Sequence, residues 1–197
     1  MAVLPIVRVD NSVLRQKSQR VGRLDKSLRQ LIDNMIETMR SAPGVGLAAV
    51  QAGVPLRIIV IEIPAEEDET WGGRPLVFLN AEIIKSSGEW TPEEGCLSIP
   101  GYVANVKRAQ NVTVKARDVH GREVRVKANG FLAHVFQHEI DHTNGILYID
   151  RLESMDEVRP LSQQRHDAEA TPDAPEAPEF TPLAPEAAVP VAQAETG

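Results

Sequence analysis

Residues 129–145 read NGFLAHVFQHEIDHTNG, and this stretch has the marks of one α-helix. An Asn-Gly pair stands at each end, the first suited to starting a helix and the second to stopping one. Between the two pairs, apolar side chains recur at helical spacing: Leu132, Val135, Phe136 and Ile140. We therefore predict a helix that runs from the first Asn-Gly pair to the second.

His138 and His142 lie four residues apart in this helix, with Glu139 directly after the first. Such a pair lies about 40° apart around the helix axis and about 6 Å along it, so both imidazoles project from one face. Imidazole is a good ligand for a borderline transition metal, and Glu139 falls just outside direct ligation, where it can act as a general base. The H-E-x-x-H pattern therefore indicates metal-assisted hydrolysis, although three fixed positions also arise by chance on an amphipathic helix.

A catalytic metal usually has three protein ligands and one position open to water, so a third ligand must come from elsewhere. The strongest candidate is Cys96, in the segment Glu93–Pro100 (EEGCLSIP), because a thiolate is a good ligand for zinc or ferrous iron. The glycine before it allows close backbone approach. A small buried cysteine with no ligand role is the alternative interpretation.

Other arrangements fit part of this pattern. A metzincin protease would need a third histidine where Tyr148 stands, so that class is excluded. A zincin-type endopeptidase survives as an alternative, with its third ligand drawn from a distant carboxylate: Glu153, Asp156 or Glu157. A non-catalytic, metal-stabilised module is a further alternative, but Glu139 argues against it because a closed structural site has no use for a base.

A second glycine-rich segment, Gly44–Gln51, reads GVGLAAVQ and contains G-x-G-x-x-A. A dinucleotide-binding fingerprint must follow a strand and open a helix, whereas here the predicted helix precedes and the strand follows, which excludes that use. Small residues can let a peptide backbone approach, and the Gln51 amide can donate hydrogen bonds to a developing oxyanion. A simple glycine-rich helix exit is the commoner meaning of such a segment.

The remaining periodicities predict an α+β fold. A helix capped by Asp25 carries an apolar stripe and ends at Pro43-Gly44. The β-branched run of residues 57–63 (RIIVIEI) predicts a buried strand, and residues 76–80 predict another. Alternating apolar and polar side chains on both sides of a turn predict a hairpin across residues 112–127. Strands therefore fill the middle of the chain and a long helix follows them.

The charge of the chain is unevenly placed. The formal net charge is −7, from 28 acidic and 21 basic residues, yet residues 1–165 hold all 21 basic residues and 21 of the acidic ones. After Arg165, seven acidic residues stand among many Pro and Ala, with one aromatic residue, Phe180. This composition predicts a catalytic domain over residues 1–160 and a disordered acidic tail over 161–197. A basic footprint for nucleic acid is absent.

The chain carries little sign of targeting to a membrane or an oxidising compartment. Residues 1–10 contain no apolar run of signal-peptide length, and no stretch approaches the ~20 apolar residues of a membrane span. A single cysteine excludes an internal disulfide. We expect a cytoplasmic protein that binds neither membranes nor nucleic acids directly.

Three segments together resemble peptide deformylase, the enzyme that removes the N-formyl group from nascent bacterial proteins. The three motifs of that family are matched by Gly44–Gln51 (GVGLAAVQ), Glu94–Ser98 (EGCLS) and Gln137–His142 (QHEIDH), in the family's order and separation. The resemblance extends over roughly residues 4–152. It implies an α+β fold in which antiparallel β-sheets pack around the motif helix, with a further helix near the N-terminus.

The resemblance also implies roles for individual residues. One divalent metal ion, ferrous iron before zinc, nickel or cobalt, would be held by three ligands: Cys96, His138 and His142. Glu139 would serve as general base, while Gln51 and the backbone N–H of Leu97 would stabilise the oxyanion. Substrate contacts would come from the backbone of Gly46 and from a methionine pocket lined by Val45, Phe131, His134 and Val135. The substrates would be formyl-methionyl peptides and nascent chains at the ribosome.

Three positions bear on how closely the family pattern is followed. Thr143 stands where the family commonly has Leu, a change expected to affect packing rather than chemistry. Val103 replaces an Arg that many relatives place near the downstream substrate backbone. His134 lies one turn before His138, but a His134/His138 metal pair would put Val135 where a base is needed, so His134 is interpreted as a pocket wall. Asp141 is expected to pair with Arg108.

Overall fold

The structure is a computed structural model that describes residues 2–161. The predicted tail, 161–197, lies outside the described residues except for Leu161, so its boundary stays a prediction. The described residues form the following helices and strands: α1 (Lys26–Ser41), β1 (Gly46–Ala48), β2 (Ile58–Ile61), β3 (Leu76–Ser87), β4 (Glu93–Cys96), β5 (Ile99–Asn105), β6 (Asn111–Arg117), β7 (Glu123–Asn129), α2 (Gly130–Thr143) and β8 (Arg159–Pro160).

The strands form two sheets in which neighbouring strands are antiparallel. A five-stranded sheet has the order β1-β2-β3-β6-β7, and a three-stranded sheet has the order β4-β5-β8. Helix α2 packs against every strand of the larger sheet, whereas α1 packs against β1 and β2. The predicted α+β class, with antiparallel sheets around the motif helix, is confirmed.

Strand β2 is apolar at all four of its positions because both of its faces are covered. All four of its residues are buried, because one face of the strand points toward α2 and the other toward α1. Ile59 and Ile61 belong to the core cluster that contains the α2 side chains Leu132 and Phe136. Ile58 and Val60 belong to a second cluster with α1 side chains. A strand covered on both faces needs no polar alternation, which is why an unbroken run of Ile and Val marks this position.

Helix α1 begins where its sequence predicts, and its apolar face is buried. The Asp25 side chain caps the helix by accepting a hydrogen bond from the backbone N–H of Leu28 at 2.9 Å. One stripe of the helix is buried against β1 and β2: Ile32, Met35 and Met39. The stripe is core rather than a binding surface, and the helix ends just before Pro43-Gly44.

Helix α2 is buried nearly all round, with eleven of its fourteen residues buried. It ends in a Schellman motif: the N–H of Ile146 donates to the carbonyl of Asp141 at 3.0 Å, and the N–H of Gly145 donates to that of His142 at 3.1 Å. Gly145 adopts a left-handed conformation with φ +77°. The predicted stop at Asn144-Gly145 is confirmed, and it fixes the end of the helix directly after His142.

The predicted hairpin is formed by β6 and β7, with Val114 opposite Val126 in the register. Strand β3 extends beyond the predicted residues 76–80 to Ser87, and its last part pairs with β6 although residues 83–87 are exposed. The β4–β5 hairpin, which carries Cys96, was not predicted. Its strands show no clean alternation, and Gly95 and Gly101 weaken the pattern further.

Within residues 2–161, no helix is both long enough and apolar enough to cross a lipid bilayer.

A matched pair of glycine substitutions tests the helix stop. Gly145 and Gly121 have nearly equal φ values, +77° and +79°, but a Cβ on Gly145 would lie 2.5 Å from the Arg15 carbonyl oxygen, whereas a Cβ on Gly121 would meet nothing within 4 Å. Gly121→Ala should cost about 1–2 kcal/mol of unfolding free energy, because alanine resists the left-handed region. Gly145→Ala should cost about 1–3 kcal/mol more because of the clash. Equal losses in urea denaturation would contradict this reading.

Candidate metal centre and active site

A cavity of about 740 Å³ opens beside α2, between the two sheets and the loop that follows α1. Every predicted site residue except His142 lines it: Val45, Gly46, Gln51, Cys96, Leu97, Phe131, His134, Val135, His138 and Glu139. The structure thus brings together residues from three segments that are remote along the chain. A cavity of this size and composition suits a small ligand or a short peptide.

Cys96, His138 and His142 converge at one wall of the cavity. The Nε2 atoms of the two histidines lie 3.1 Å apart, and the Cys96 Sγ lies 3.3 Å from the His142 Nε2. One ligand atom from each of the three residues lies within 4.8 Å of the others. Within residues 2–161, this is the one group of three His, Cys, Asp or Glu side chains that could hold a metal ion.

The donor set fits a tetrahedral metal. Ligand bonds of about 2.0–2.1 Å to nitrogen and about 2.3 Å to sulfur place two nitrogens about 3.3 Å apart, and nitrogen and sulfur about 3.6 Å apart. The observed separations of 3.1 Å and 3.3 Å are close to these values. Thiolate and imidazole ligands suit zinc and ferrous iron, whereas carboxylate-only sites suit magnesium and calcium.

The protonation of this group is tightly coupled. Burial raises the pKa of the Cys96 thiol, but the His142 and His138 imidazoles outweigh burial and hold that pKa well below its usual value. Burial lowers the pKa of His138, but Cys96 and Glu94 outweigh it and raise that pKa well above its usual value. The lowered pKa favours the thiolate, which is the form of cysteine that ligates a metal. A metal binds the deprotonated imidazole, so it competes with a proton for His138. The affinity of the site for a metal should therefore weaken as the pH falls.

Glu94 supports His138 through the ring nitrogen Nδ1, which does not face the metal ligands. The sequence did not predict this role. Its Oε1 accepts hydrogen bonds from His138 Nδ1 at 2.5 Å and from Arg108 Nη2 at 2.6 Å. Its Oε2 accepts from Arg108 Nε at 2.9 Å and from His134 Nε2 at 3.0 Å. Burial raises the pKa of Glu94, but these donors outweigh it and keep the carboxylate ionised. With Nδ1 donating to Glu94, His138 presents Nε2 to the metal site.

Arg108 joins Glu94 to the motif helix. Its Nη1 donates to Asp141 Oδ2 at 2.6 Å, which confirms the expected pair, and Asp141 also accepts hydrogen bonds from Arg151. The side chains of Arg108 and Glu94 are almost completely buried. Burial lowers the pKa of Arg108, but the two carboxylates outweigh it and raise that pKa. The closeness of Glu94 to Cys96 in the sequence could have indicated a role in the site. Nothing in the sequence, however, distinguished Glu94 from the neighbouring Glu93.

Glu139 lies against the backbone of β1. A Cβ added to Gly46 would come within 2.3 Å of the Glu139 Oε1, so a glycine is required for the carboxylate to sit there. The Glu139 Oε2 is buried and has no hydrogen-bond partner within residues 2–161, so this oxygen is free to accept a proton. Burial raises the pKa of Glu139 to about 7, while the His138 and His142 imidazoles oppose the rise. A carboxyl group with that pKa can accept and return a proton near neutral pH.

Gln51 lines the same cavity, and hydrogen bonds with its neighbours orient its side-chain amide. Its Oε1 accepts a hydrogen bond from the Ala48 N–H at 2.9 Å, which leaves the Nε2 amide facing Ser98 Oγ at 3.3 Å and Cys96 Sγ at 3.6 Å. The residue is 1% exposed. Leu97 stands beside Cys96 in the turn between β4 and β5 and lines the same cavity. Both residues therefore stand where they could donate to an oxygen beside the metal centre.

The apolar end of the cavity is bounded by Val45, Phe131, His134 and Val135. The His134 ring contacts Phe131 and Trp90 edge-on, with ring centroids 6.0 Å and 5.9 Å away. Its Nε2 donates to Glu94, so His134 links the cavity wall to the support of His138. That second contact was not predicted from the sequence.

The other predicted features can also be placed. The carboxylates that a zincin would need lie away from the metal centre: Glu153 pairs with Lys107, Asp156 bonds Ser154, and Glu157 accepts from the N–H groups of residues 153 and 154. Val103 is buried and faces Gly95 in the register of β4 and β5. Thr143 is buried, and its hydroxyl donates to the Ile140 carbonyl at 2.8 Å.

A buried helix that carries H-E-x-x-H, with a thiolate from a separate hairpin beside it, defines a metal-dependent hydrolase. Comparison with known proteins specifies the class further. The family profile described as polypeptide deformylase matches residues 3–158. This chain therefore belongs to the peptide deformylase family.

Individual relatives agree with that assignment. The chain is 50% identical to a peptide deformylase of Halothermothrix orenii over 153 residues, which cover 77% of this chain and 95% of the relative. It is 47% identical to a peptide deformylase of Thermomicrobium roseum, with 85% of this chain and 96% of the relative covered. A crystal structure of the Ehrlichia chaffeensis peptide deformylase in complex with actinonin superposes with a TM-score of 0.75 at 42% identity, covering 80% of this chain and 92% of that one.

The buried ion-pair network yields a stability prediction. Arg108→Ala removes a partner that Glu94 and Asp141 share in the protein interior, so we expect a loss of about 3–5 kcal/mol in unfolding free energy. The control is Arg122→Ala, which breaks the pair with Asp118 at 2.7 Å, where the arginine side chain is 73% exposed. That loss should be below about 1 kcal/mol. Urea denaturation of both variants measures the difference, and equal losses would contradict the assigned role of the network.

Proposed function

We propose that this chain removes the N-formyl group from the N-terminal formyl-methionine of newly synthesised proteins and releases formate. The observation that carries the proposal is the convergence of Cys96, His138 and His142 beside Glu139 in a peptide-sized cavity. Family membership supports it. A solved Acinetobacter baumannii peptide deformylase, 33% identical to this chain, is described as bound to Met-Ala-Ser.

We propose Cys96, His138 and His142 as the ligands of one divalent metal ion. Ferrous iron is the proposed resident metal, and zinc, nickel or cobalt also suit the thiolate and imidazole donors. When bound, the metal supplies Lewis acidity, which polarises a carbonyl oxygen and lowers the pKa of a water molecule. Glu94 is proposed to keep His138 in the tautomer and orientation that ligation requires.

Glu139 is proposed as the general base and proton shuttle. It accepts the proton of the water that attacks the formyl carbon, and its Oε2 is available for that role because it has no other partner within the described residues. After attack, the same carboxyl group returns the proton to the leaving methionine nitrogen. The C–N bond then breaks, and formate and a free amine are released. The absence of a side chain at Gly46 leaves the space that the Glu139 carboxylate occupies.

Negative charge on the formyl oxygen is proposed to be stabilised by Gln51 Nε2 and by the backbone N–H of Leu97. Both are held by the fold before the substrate arrives, so little reorganisation is needed as the charge develops. These donors favour the tetrahedral state over the flat amide, which is the condition for a faster chemical step. The backbone of Gly46 is proposed to bind the substrate backbone.

The apolar end of the cavity is proposed to take the methionine side chain, against Val45, Phe131, His134 and Val135. The proposed substrates are formyl-methionyl peptides and nascent chains as they leave the ribosome, and the proposed compartment is the cytoplasm. Direct binding to nucleic acid is not proposed, because the positive and negative charges of residues 1–165 balance. The division into a catalytic domain, 1–160, and an acidic tail is retained as a proposal.

Formate release is the decisive measurement. Full-length protein, loaded with iron in the absence of oxygen, is expected to release formate from formyl-Met-Ala-Ser. Glu139→Gln keeps the shape of the side chain but removes the base, so kcat should fall about 10²- to 10⁴-fold. No formate from the iron-loaded wild-type protein would refute the proposal. Cleavage of an internal peptide bond in an unformylated peptide would favour a zincin-type endopeptidase instead.

Metal binding by Cys96 can be tested by spectroscopy. Cobalt-loaded wild-type protein should show thiolate-to-cobalt charge-transfer absorption in the near ultraviolet, because cysteine ligates a metal as a thiolate. Cys96→Ser should lose that absorption and bind cobalt more weakly. Glu153→Gln is the matched control, since it removes a carboxylate that only a zincin would use, and it should leave the spectrum unchanged. A full cobalt spectrum in Cys96→Ser would exclude the sulfur as a ligand.

A further inference from the structure

Arg8 stands in residues 6–9, a segment without regular secondary structure whose backbone is hydrogen-bonded to the segments of the site. The N–H of Val7 donates to the Gln51 carbonyl at 2.8 Å, and the N–H of Val9 donates to the Ser98 carbonyl at 3.0 Å. The carbonyl of Arg8 accepts a hydrogen bond from the N–H of Asn11 at 2.9 Å. The Arg8 backbone is therefore held beside the segments that carry Gln51 and Leu97.

The side chains of this segment have different surroundings. Val7 and Val9 pack against the core cluster that contains the α2 side chains. Ile6 and Arg8 both line the cavity. The partly buried valines thus face the core, whereas Arg8 is exposed and lines the cavity.

Among residues 2–161, Arg8 has no counter-charge, unlike Glu93 and Glu94, which line the same cavity. Glu94 is buried among Arg108, His134 and His138, and Glu139 lies against Gly46. Glu93, at the rim, forms an ion pair with Arg159. Within residues 2–161, the Arg8 guanidinium makes no hydrogen bond or ion pair, although it is exposed at the same cavity.

We propose that Arg8 is a specificity-determining residue that favours peptides with an acidic side chain at the second or third position. This inference rests on the proposed function. A formyl-methionine seated beside the metal centre leaves its following residues to pass over the rim, at about 3.3 Å per extended residue. An arginine side chain is long enough to meet an Asp or Glu in either position. Its charge also attracts an acidic peptide before contact.

The test compares kcat/KM for C-terminally amidated peptides, so that the terminal carboxylate does not compete. The first set is formyl-Met-Ala-Asp, formyl-Met-Ala-Asn and formyl-Met-Ala-Lys, and the second places Asp, Asn or Lys at position two. In at least one set, wild-type protein should prefer Asp to Lys by about 2- to 5-fold, the size expected of an exposed ion pair. The preference should shrink in high salt.

Variants at position 8 test whether Arg8 causes the preference for Asp over Lys. Arg8→Gln should abolish the Asp-to-Lys preference with little change for the Asn peptide, and Arg8→Glu should invert it. Arg23→Glu is the control, because it makes the same change in net charge at an exposed residue that does not line the cavity. It should keep the wild-type preference.

Each other outcome overturns the inference. The same Asp-to-Lys ratio in wild type, Arg8→Gln and Arg8→Glu would show that Arg8 does not select substrates. Equal shifts in Arg8→Glu and Arg23→Glu would assign the effect to net charge. If no formylated peptide gives formate with the wild-type protein, the proposed function fails instead, and the two failures are thus distinguishable.

Discussion

The buried carboxylate of Glu94 is the interaction on which the rest of the site depends. It lies in β4, on the smaller sheet, yet three of its hydrogen bonds join it to Arg108 and His138 and a fourth to His134. Through Arg108 it is also connected to Asp141 on α2. A charge buried this deeply is tolerated only when every lone pair has a partner, so the network accepts one relative placement of the sheet and the helix. That placement brings Cys96 to the histidine pair.

Packing supplies the rest of the geometry. Strand β2 is buried on both faces, with α2 on one side and α1 on the other, so the sheet cannot shift without opening one of two core clusters. Strand β1 pairs with β2 and presents Gly46 to Glu139. The general base proposed for the reaction thus lies against a fully buried strand. A rigid frame of this kind is what a preorganised site requires.

Much of the fold and the metal centre was predictable from sequence, because local patterns carried the information. The two ends of α2, the β-branched run of β2 and the β6–β7 hairpin depend on short-range periodicity and capping. The β4–β5 hairpin was missed since glycines interrupt its alternation. The role of Glu94 depends on partners 14 to 44 residues away, and a carboxylate that bonds remote side chains has no local signature. The place of Arg8 at the cavity likewise follows only from the structure.

The hydrogen bond from the Val7 N–H to the Gln51 carbonyl has a practical consequence for work on this enzyme. The opening residues of the chain are part of the scaffold around the amide of Gln51, although they form no regular strand or helix. Removal of Val7 and Val9 would break the hydrogen bonds to the Gln51 and Ser98 carbonyls, and a loss of turnover in such a preparation would say nothing about the metal. Recombinant protein intended for kinetics should therefore keep residues 6–9 unchanged.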